Sequence, residues 1–334
     1  MDSRERIEEK HVKLLNTKSP IFEGDPGNGI HGSKKEYILN GNSDLNLYKG
    51  IRENAKNYFK THNIQFQSGK KFHPTPNTLS SQVACLNFLF LIKDDKVAVK
   101  RVMNSLLKDA EKDINISEVL PVPEYGISSK DNGHYISFEA VSKIKRMKET
   151  HLSRGSGCTS IDALVIGKDE YGKTFEIVME WKLVENDSGN MAPSDRMKKA
   201  YASGKNRIDN YQKDILSLNS IFNLENVSTF EDSDFFKAPF YELMRQTIWS
   251  NINKADFGVD DYIHLLIIPE DNHMVQRNYV VQGNKVKGIG TAWSHLLTAN
   301  GKKHFGEASP EVIIKILEES DKYKELVNYL KIRY

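Results

Sequence analysis

Apolar positions along the 334 residues change period from one stretch to the next, and each change predicts an element. Residues 1–15 have helical spacing. The same spacing returns over 44–62 (DLNLYKGIRENAKNYFKTH), with Leu47, Ile51, Ala55, Tyr58 and Phe59 on one stripe. Between them, 20–41 reads as an irregular surface loop. Its GDPGNGIHG run lacks the preceding buried strand and the following Lys-Ser/Thr pair of a phosphate-cradling loop. The prolines of HPTPN at 73–77 mark another break, after which Ser80 and Ser81 offer an N-cap for a helix reaching about Ile92. A further helix is expected from Val97 to about Asp113.

From there the pattern shortens. Residues 116–125 read as extended and broken by two prolines, and 134–142 (HYISFEAVS) alternate like a strand. The runs SIDALVIG (160–167) and TFEIVMEWKLV (174–184) are short and apolar, as strands buried on both faces are. The turn segment GKDEYGK between them predicts a hairpin. A long amphipathic helix follows, with Ile208, Tyr211, Ile215, Leu218 and Phe222 on its stripe, and YIHLLII (262–268) supplies another buried strand. Past Ser309 as N-cap and Pro310 at the first helical position, the chain reads as two short helices.

Composition narrows the function classes. Hydrophobic residues at 39% and charged residues at 28% exclude a disordered tail, a collagen-like repeat and a disulfide-stapled miniature. Lys and Arg number 47 against 45 Asp and Glu, so 47 − 45 = +2. A polyanion partner must therefore be held by local patches, not by a global field. Cys85 and Cys158 are too few for a disulfide framework or a four-ligand zinc site, and free thiols are expected. The charged opening MDSRERIEEK has no apolar signal region, and the expectation is a cytosolic protein. HExxH and GxSxG are absent, and the glycine-bearing segment GNKVKGIGTAW (283–293) has no Gly-Lys-Ser/Thr, which argues against a zinc hydrolase, a serine hydrolase and a nucleotide triphosphatase.

The hairpin carries the chemistry. Asp162 shares a strand face with Leu164 and Ile166, while Glu180 and Lys182 share one face of the neighbouring strand. Buried charges persist when they are paired or hold a metal. One reading is structural, a salt bridge from Lys182 to Asp162 or Glu180. The other is a metal centre. Two carboxylates from adjacent strands form the all-oxygen donor set that Mg2+ prefers, with Lys182 placed to orient a water or to stabilise charge on a phosphate.

Asp162 followed by Glu180-Trp181-Lys182 after a hairpin resembles the PD-(D/E)XK nuclease superfamily, although Ile161 stands where the pattern has proline. Ser80-Ser81-Gln82 with Cys85 and Asn87, Glu124-Tyr125, Thr159-Ser160-Ile161-Asp162, Glu185, Phe240-Tyr241-Glu242-Leu243 and Arg245-Gln246 are similar to segments of a bacterial group of restriction-endonuclease-like proteins. The resemblance implies an α/β fold, a restriction-endonuclease-like core with a central mixed sheet flanked by helices and with helical N- and C-terminal additions. It implies Asp162, Glu180 and the Trp181 carbonyl as metal ligands, Lys182 assisting the attacking water, and Mg2+ as cofactor with Mn2+ as substitute. Gln82 is expected near the metal, with a helix-cap role as its plainer reading. Glu124 is a second outer candidate, and Glu185 is expected at the surface.

Basic residues flank the hairpin: Lys143, Lys145, Arg146 and Arg154 before it, and Lys198, Lys199, Lys205 and Arg207 after it. Such side chains would contact phosphates along DNA, although charge runs are also ordinary solvated faces. Arg245 could contact a phosphate or form a pair within its helix. The expected layout is an N-terminal helical and loop region at 1–78, a nuclease core at 79–270 and a helical extension at 271–334. A DNA-cutting enzyme of restriction or phage defence is the leading reading. A repair or recombination nuclease and a non-catalytic DNA-binding subunit remain alternatives. A homodimer would allow cutting of both strands, but no interface is indicated in the sequence.

Overall fold

The computed structural model describes residues 3–70, 72–123, 134–142, 158–185, 201–225, 227–230 and 233–334, with backbone only at 201–207. Six strands form a central mixed sheet: β1 (Ile116–Leu120), β2 (Ser137–Ala140), β3 (Ile161–Asp169), β4 (Thr174–Trp181), β5 (Asp261–Ile267) and β6 (Phe305–Ala308). Their order is β6-β5-β4-β3-β1, and β2 also pairs with β3. The expected hairpin is β3–β4, antiparallel from Ala163↔Met179 to Lys168↔Thr174. Strand β5 lies parallel to β4, and β6 parallel to β5. Strands β1 and β2 lie end to end along the outer edge of β3, pairing with its C-terminal and N-terminal halves respectively. β1 stops at Leu120 because Pro121 has no N–H for the ladder.

Helices cover both faces. On one side Ala163, Val165, Ile177, Met179, Ile263 and Leu265 pack beneath α3 (after α1, Ser3–Asn16, and α2, Arg52–Thr61), which spans Ser81–Leu89, and beneath α4 (Lys96–Asp109). The Ser80 hydroxyl caps α3 by accepting the Val83 N–H at 3.4 Å. On the other side Leu164, Ile166, Val178 and Leu266 meet Tyr211 and Ile215 of α5 (Tyr201–Ser217) and Leu243, Met244 and Ile248 of α6 (Phe240–Phe257). Each such aliphatic side chain taken out of water contributes about 1.5–3 kcal/mol. The sheet residues alternate between the two cores, so the even-numbered positions of β3 and β4 all look toward α6. Two last helices, α7 (Glu311–Glu318) and α8 (Lys324–Arg333), belong to the α3 side.

Several elements depart from the sequence reading. The stretch 44–62 is not one helix: a short turn at Ser43–Asn46 precedes α2, and Leu47 is extended although buried. Asn42 starts that turn by accepting the Asp44 N–H at 3.0 Å. The loop at 20–41 contains a two-residue hairpin, Ile30–His31 with Ser33–Lys34, turning at Gly32 with φ +72°. A second hairpin, Asn278–Val281 with Asn284–Lys287, and the sheet strand β6 both lie in the C-terminal stretch read as helical. β6 has four residues, FGEA, too few for a period to show. Among the described residues no helix is long and apolar enough to cross a membrane, and both cysteines are free and buried.

Candidate active site

The β3–β4 register places Asp162 opposite Glu180, one step beyond the Ala163↔Met179 pair. The β2–β3 register does the same for Glu139, which falls opposite Asp162 between Phe138↔Ala163 and Ala140↔Ile161. Glu139, Asp162 and Glu180 thus form one row across three adjacent strands. Glu139 has φ +52°, a conformation that costs a non-glycine residue about 1–2 kcal/mol. The alternation of β2 breaks there: Phe138 joins the core beneath α3 and α4, while Ala140 joins the core beneath α6.

Each acid has different partners. Asp162 Oδ2 accepts the Trp181 N–H at 2.8 Å, which ties the two strands at the site. Glu180 is nearly buried, with Oε1 2.8 Å from Lys182 Nζ and Oε2 accepting from Gln246 Nε2. Lys182 is shared with Glu242 of α6. Glu139 Oε2 accepts from Ser160 Oγ at 2.6 Å, and its other oxygen accepts from Gln82 Nε2. Gln82, buried in the first turn of α3, takes the Gln67 N–H on its own oxygen at 2.9 Å.

Burial, then the charges of Glu180 and Glu139, hold the Asp162 carboxyl well above its usual range. Burial also raises Glu180, with Lys182 pulling the other way. For Lys182, burial alone would lower the pKa, but Glu180, Glu242 and Glu185 outweigh it and the ammonium is held firmly. Lys182 in turn keeps Glu242 below its usual value. The salt bridge of the structural reading is therefore present between Lys182 and Glu180. It does not account for Asp162 and Glu139, whose carboxyl groups crowd the same row.

The oxygen donors at Asp162 and Glu180 fit a hard divalent cation in kind. As the side chains stand, no group of three or more His, Cys, Asp or Glu among the described residues is arranged to ligate one. The reason is visible at Glu180, both of whose oxygens are engaged by Lys182 and Gln246. The Trp181 indole lies on the opposite face of the sheet, 5.2 Å between ring centroids from Phe88.

Other sequence candidates are placed as follows. Arg245 donates to Thr159 Oγ1 at 3.1 Å and lies 5.3 Å from the Tyr241 ring centre, so it braces the segment entering β3. Glu185 is not at the open surface: it accepts the Leu183 N–H at 2.7 Å, the Val184 N–H at 3.1 Å and the Ser81 hydroxyl. It thereby joins the end of β4 to the start of α3, beside a polar cleft of about 250 Å3 walled in part by Arg4, Gln67 and Asn77. Glu124, Lys143, Lys145, Arg146, Arg154, Lys198 and Lys199 lie outside the described residues, as do the side chains of Lys205 and Arg207. Glu139 was missed by sequence reasoning. The available signal was an acid inside an alternating strand run just before the hairpin, but regular alternation gives no reason to choose it.

The sequence matches the family described as restriction endonuclease associating with ARP over residues 5–334. Neither a curated protein nor a solved structure matches the chain. The mixed sheet flanked by helices agrees with the restriction-endonuclease-like resemblance drawn from Asp162 and Glu180-Trp181-Lys182. Because the match spans nearly the whole chain, this protein belongs to the family of restriction endonucleases associating with ARP.

Proposed function

We propose that the protein is a Mg2+-dependent endonuclease that hydrolyses DNA phosphodiester bonds at Asp162, Glu180 and Lys182. The observation that carries this reading is the row of Glu139, Asp162 and Glu180 across adjacent strands, with Lys182 against Glu180. A structural ion pair needs one carboxylate; this row holds three, at the expense of desolvation and of a left-handed backbone at Glu139. Asp162 and Glu180, with the Trp181 carbonyl, would hold the ion, with Mn2+ as substitute. When bound, the cation supplies Lewis-acid activation of the phosphate and a more acidic water.

This chain's own residues do the rest. Lys182 stabilises charge developing on the phosphate or holds the attacking water, the Trp181 N–H keeps Asp162 in place, and Gln82 orients Glu139. The basic residues at 143–154 and 196–207, with Arg245, would contact DNA phosphates, a sequence-independent source of affinity. The setting is restriction or phage defence, and the family's description supports work beside a protein partner.

The test incubates the protein with supercoiled plasmid and phage DNA in Mg2+, Mn2+ or EDTA, beside Lys182→Ala. Metal-dependent nicking or discrete fragments, lost in the variant, is the expected result. Cleavage that persists in EDTA or in Lys182→Ala would rule this site out.

A further inference from the structure

Behind Glu180 a buried chain of polar groups leads away from the site. Gln246 of α6 donates through Nε2 to Glu180 Oε2, and its oxygen lies 3.1 Å from His264 Nε2 on β5. His264 Nδ1 lies 3.1 Å from Thr247 Oγ1, the next residue along α6. Gln246, Thr247 and His264 are all at most 5% exposed.

The hydrogen-bonding roles follow by elimination. A carboxylate ion-paired to Lys182 can only accept, so the Gln246 amide nitrogen must face it. The Gln246 oxygen is then left to accept, and His264 must carry its proton on Nε2. Its Nδ1 lone pair accepts from the Thr247 hydroxyl. Complete burial holds His264 neutral, its pKa pushed down to about 3, in keeping with that tautomer.

We infer that Gln246 is the positioning residue of Glu180, and that neutral Nε2–H His264, anchored by Thr247, fixes which way the Gln246 amide points. The inference rests on the metal-site reading above. Its consequence is an asymmetry between the two oxygens of Glu180. Oε2 is committed to the amide, and Oε1 is the oxygen that Lys182 shares with an incoming cation. A flipped amide would turn its oxygen on the carboxylate and push Glu180 out of the row. Partners of this kind, one bond behind a metal ligand, contribute about 10–100-fold to metal affinity.

Calorimetric titration with Mn2+ tests the inference on the full-length protein, comparing wild type, Gln246→Met, His264→Phe and Thr247→Val, with Asp162→Ala as the baseline and thermal melts to confirm folding. Gln246→Met should weaken Mn2+ binding about 10–100-fold, His264→Phe less, and Thr247→Val least. Cleavage by Gln246→Met should recover at raised Mn2+, which damage to the core would not allow. In parallel, nitrogen NMR of labelled histidine should show His264 protonated on Nε2 alone at neutral pH. Unchanged Mn2+ affinity in folded Gln246→Met, or His264 protonated on Nδ1, would overturn the inference. Wild type indistinguishable from Asp162→Ala would instead remove the metal-site reading and the positioning role with it.

Discussion

Glu176 and Glu180 lie four residues apart on β4, both facing α6, and their surroundings are opposite. Glu180, beside Leu266 of β5, has Lys182 on one oxygen and Gln246 on the other. Glu176, beside Tyr262, is fully buried, and neither oxygen has a hydrogen-bond partner among the described residues. Burial drives its pKa well above the usual range, with Lys254 opposing only weakly enough to leave that direction intact. Burial raises both carboxyl groups, but at Glu180 Lys182 and Gln246 oppose it through direct hydrogen bonds, whereas Glu176 has no such partner among the described residues. A buried carboxyl group by itself is thus no mark of a metal site. What sets Glu180 apart is two further acids in register with it and Lys182 against one of its oxygens.

That contrast can be broken from either end. The largest effect is expected from Lys182→Met, which leaves Glu180 and Glu242 facing each other without their shared cation. Loss of one partner of a buried pair costs about 3–5 kcal/mol, to be read by chemical denaturation, and added Mn2+ should restore part of it. Glu180→Gln should come next. It keeps the shape and the Gln246 contact while lowering cleavage about 10²–10³-fold, measured as initial nicking rate on plasmid. Equal loss from Glu176→Leu would erase the distinction drawn here.

Glu176→Leu is expected instead to leave cleavage unchanged and to stabilise the fold by about 1–4 kcal/mol, since an apolar group replaces an unpartnered acid. Its pH dependence has a defined sign. With its pKa raised in the folded protein, Glu176 keeps a proton that the unfolded chain has released, so folding is linked to proton uptake. Stability contributed by this group is full below the unfolded pKa and falls as pH rises toward the folded one, by about 1.4 kcal/mol per pH unit at most. Denaturation from pH 5 to 8 should show a shallower decline in Glu176→Leu than in wild type. The smallest effect is assigned to Glu139→Gly, which removes an acid and relieves φ +52° together. Stability should change by under about 1 kcal/mol while Mn2+ binding weakens in calorimetry.

The hairpin was legible in the sequence because two apolar runs flanked a polar turn, and charges inside such runs stand out. Asp162, Glu180 and Lys182 could be picked for that reason, and their shared row follows from the period of two. Glu139 could not. Its role depends on a left-handed residue in mid-strand that an alternating pattern hides. Glu185 was read as a surface residue because it lies past the strand end, where parity no longer applies; two backbone N–H groups and Ser81 fold it inward. The strand β6 escaped because FGEA carries no period and pairs with a partner 41 residues earlier, Phe305 with His264. Local pattern therefore revealed the acidic hairpin but neither the sheet's far edge nor its third acid.

That far edge bears on when the fold closes. All the proposed catalytic residues lie before residue 250, yet β5 acquires its outer neighbour only from 305–308. The first helix is also held by late residues: Arg6 reaches the Tyr334 carbonyl oxygen, and a His11 ring nitrogen lies 2.9 Å from that of Arg333. On a ribosome the hairpin would emerge before the outer edge of β5 is paired and before the first helix is clasped, and such non-local closure is slow. If the proposed site cuts DNA, synthesis order itself becomes a safeguard, because the sheet's outer edge and the clasp on the first helix both wait on residues 305–334.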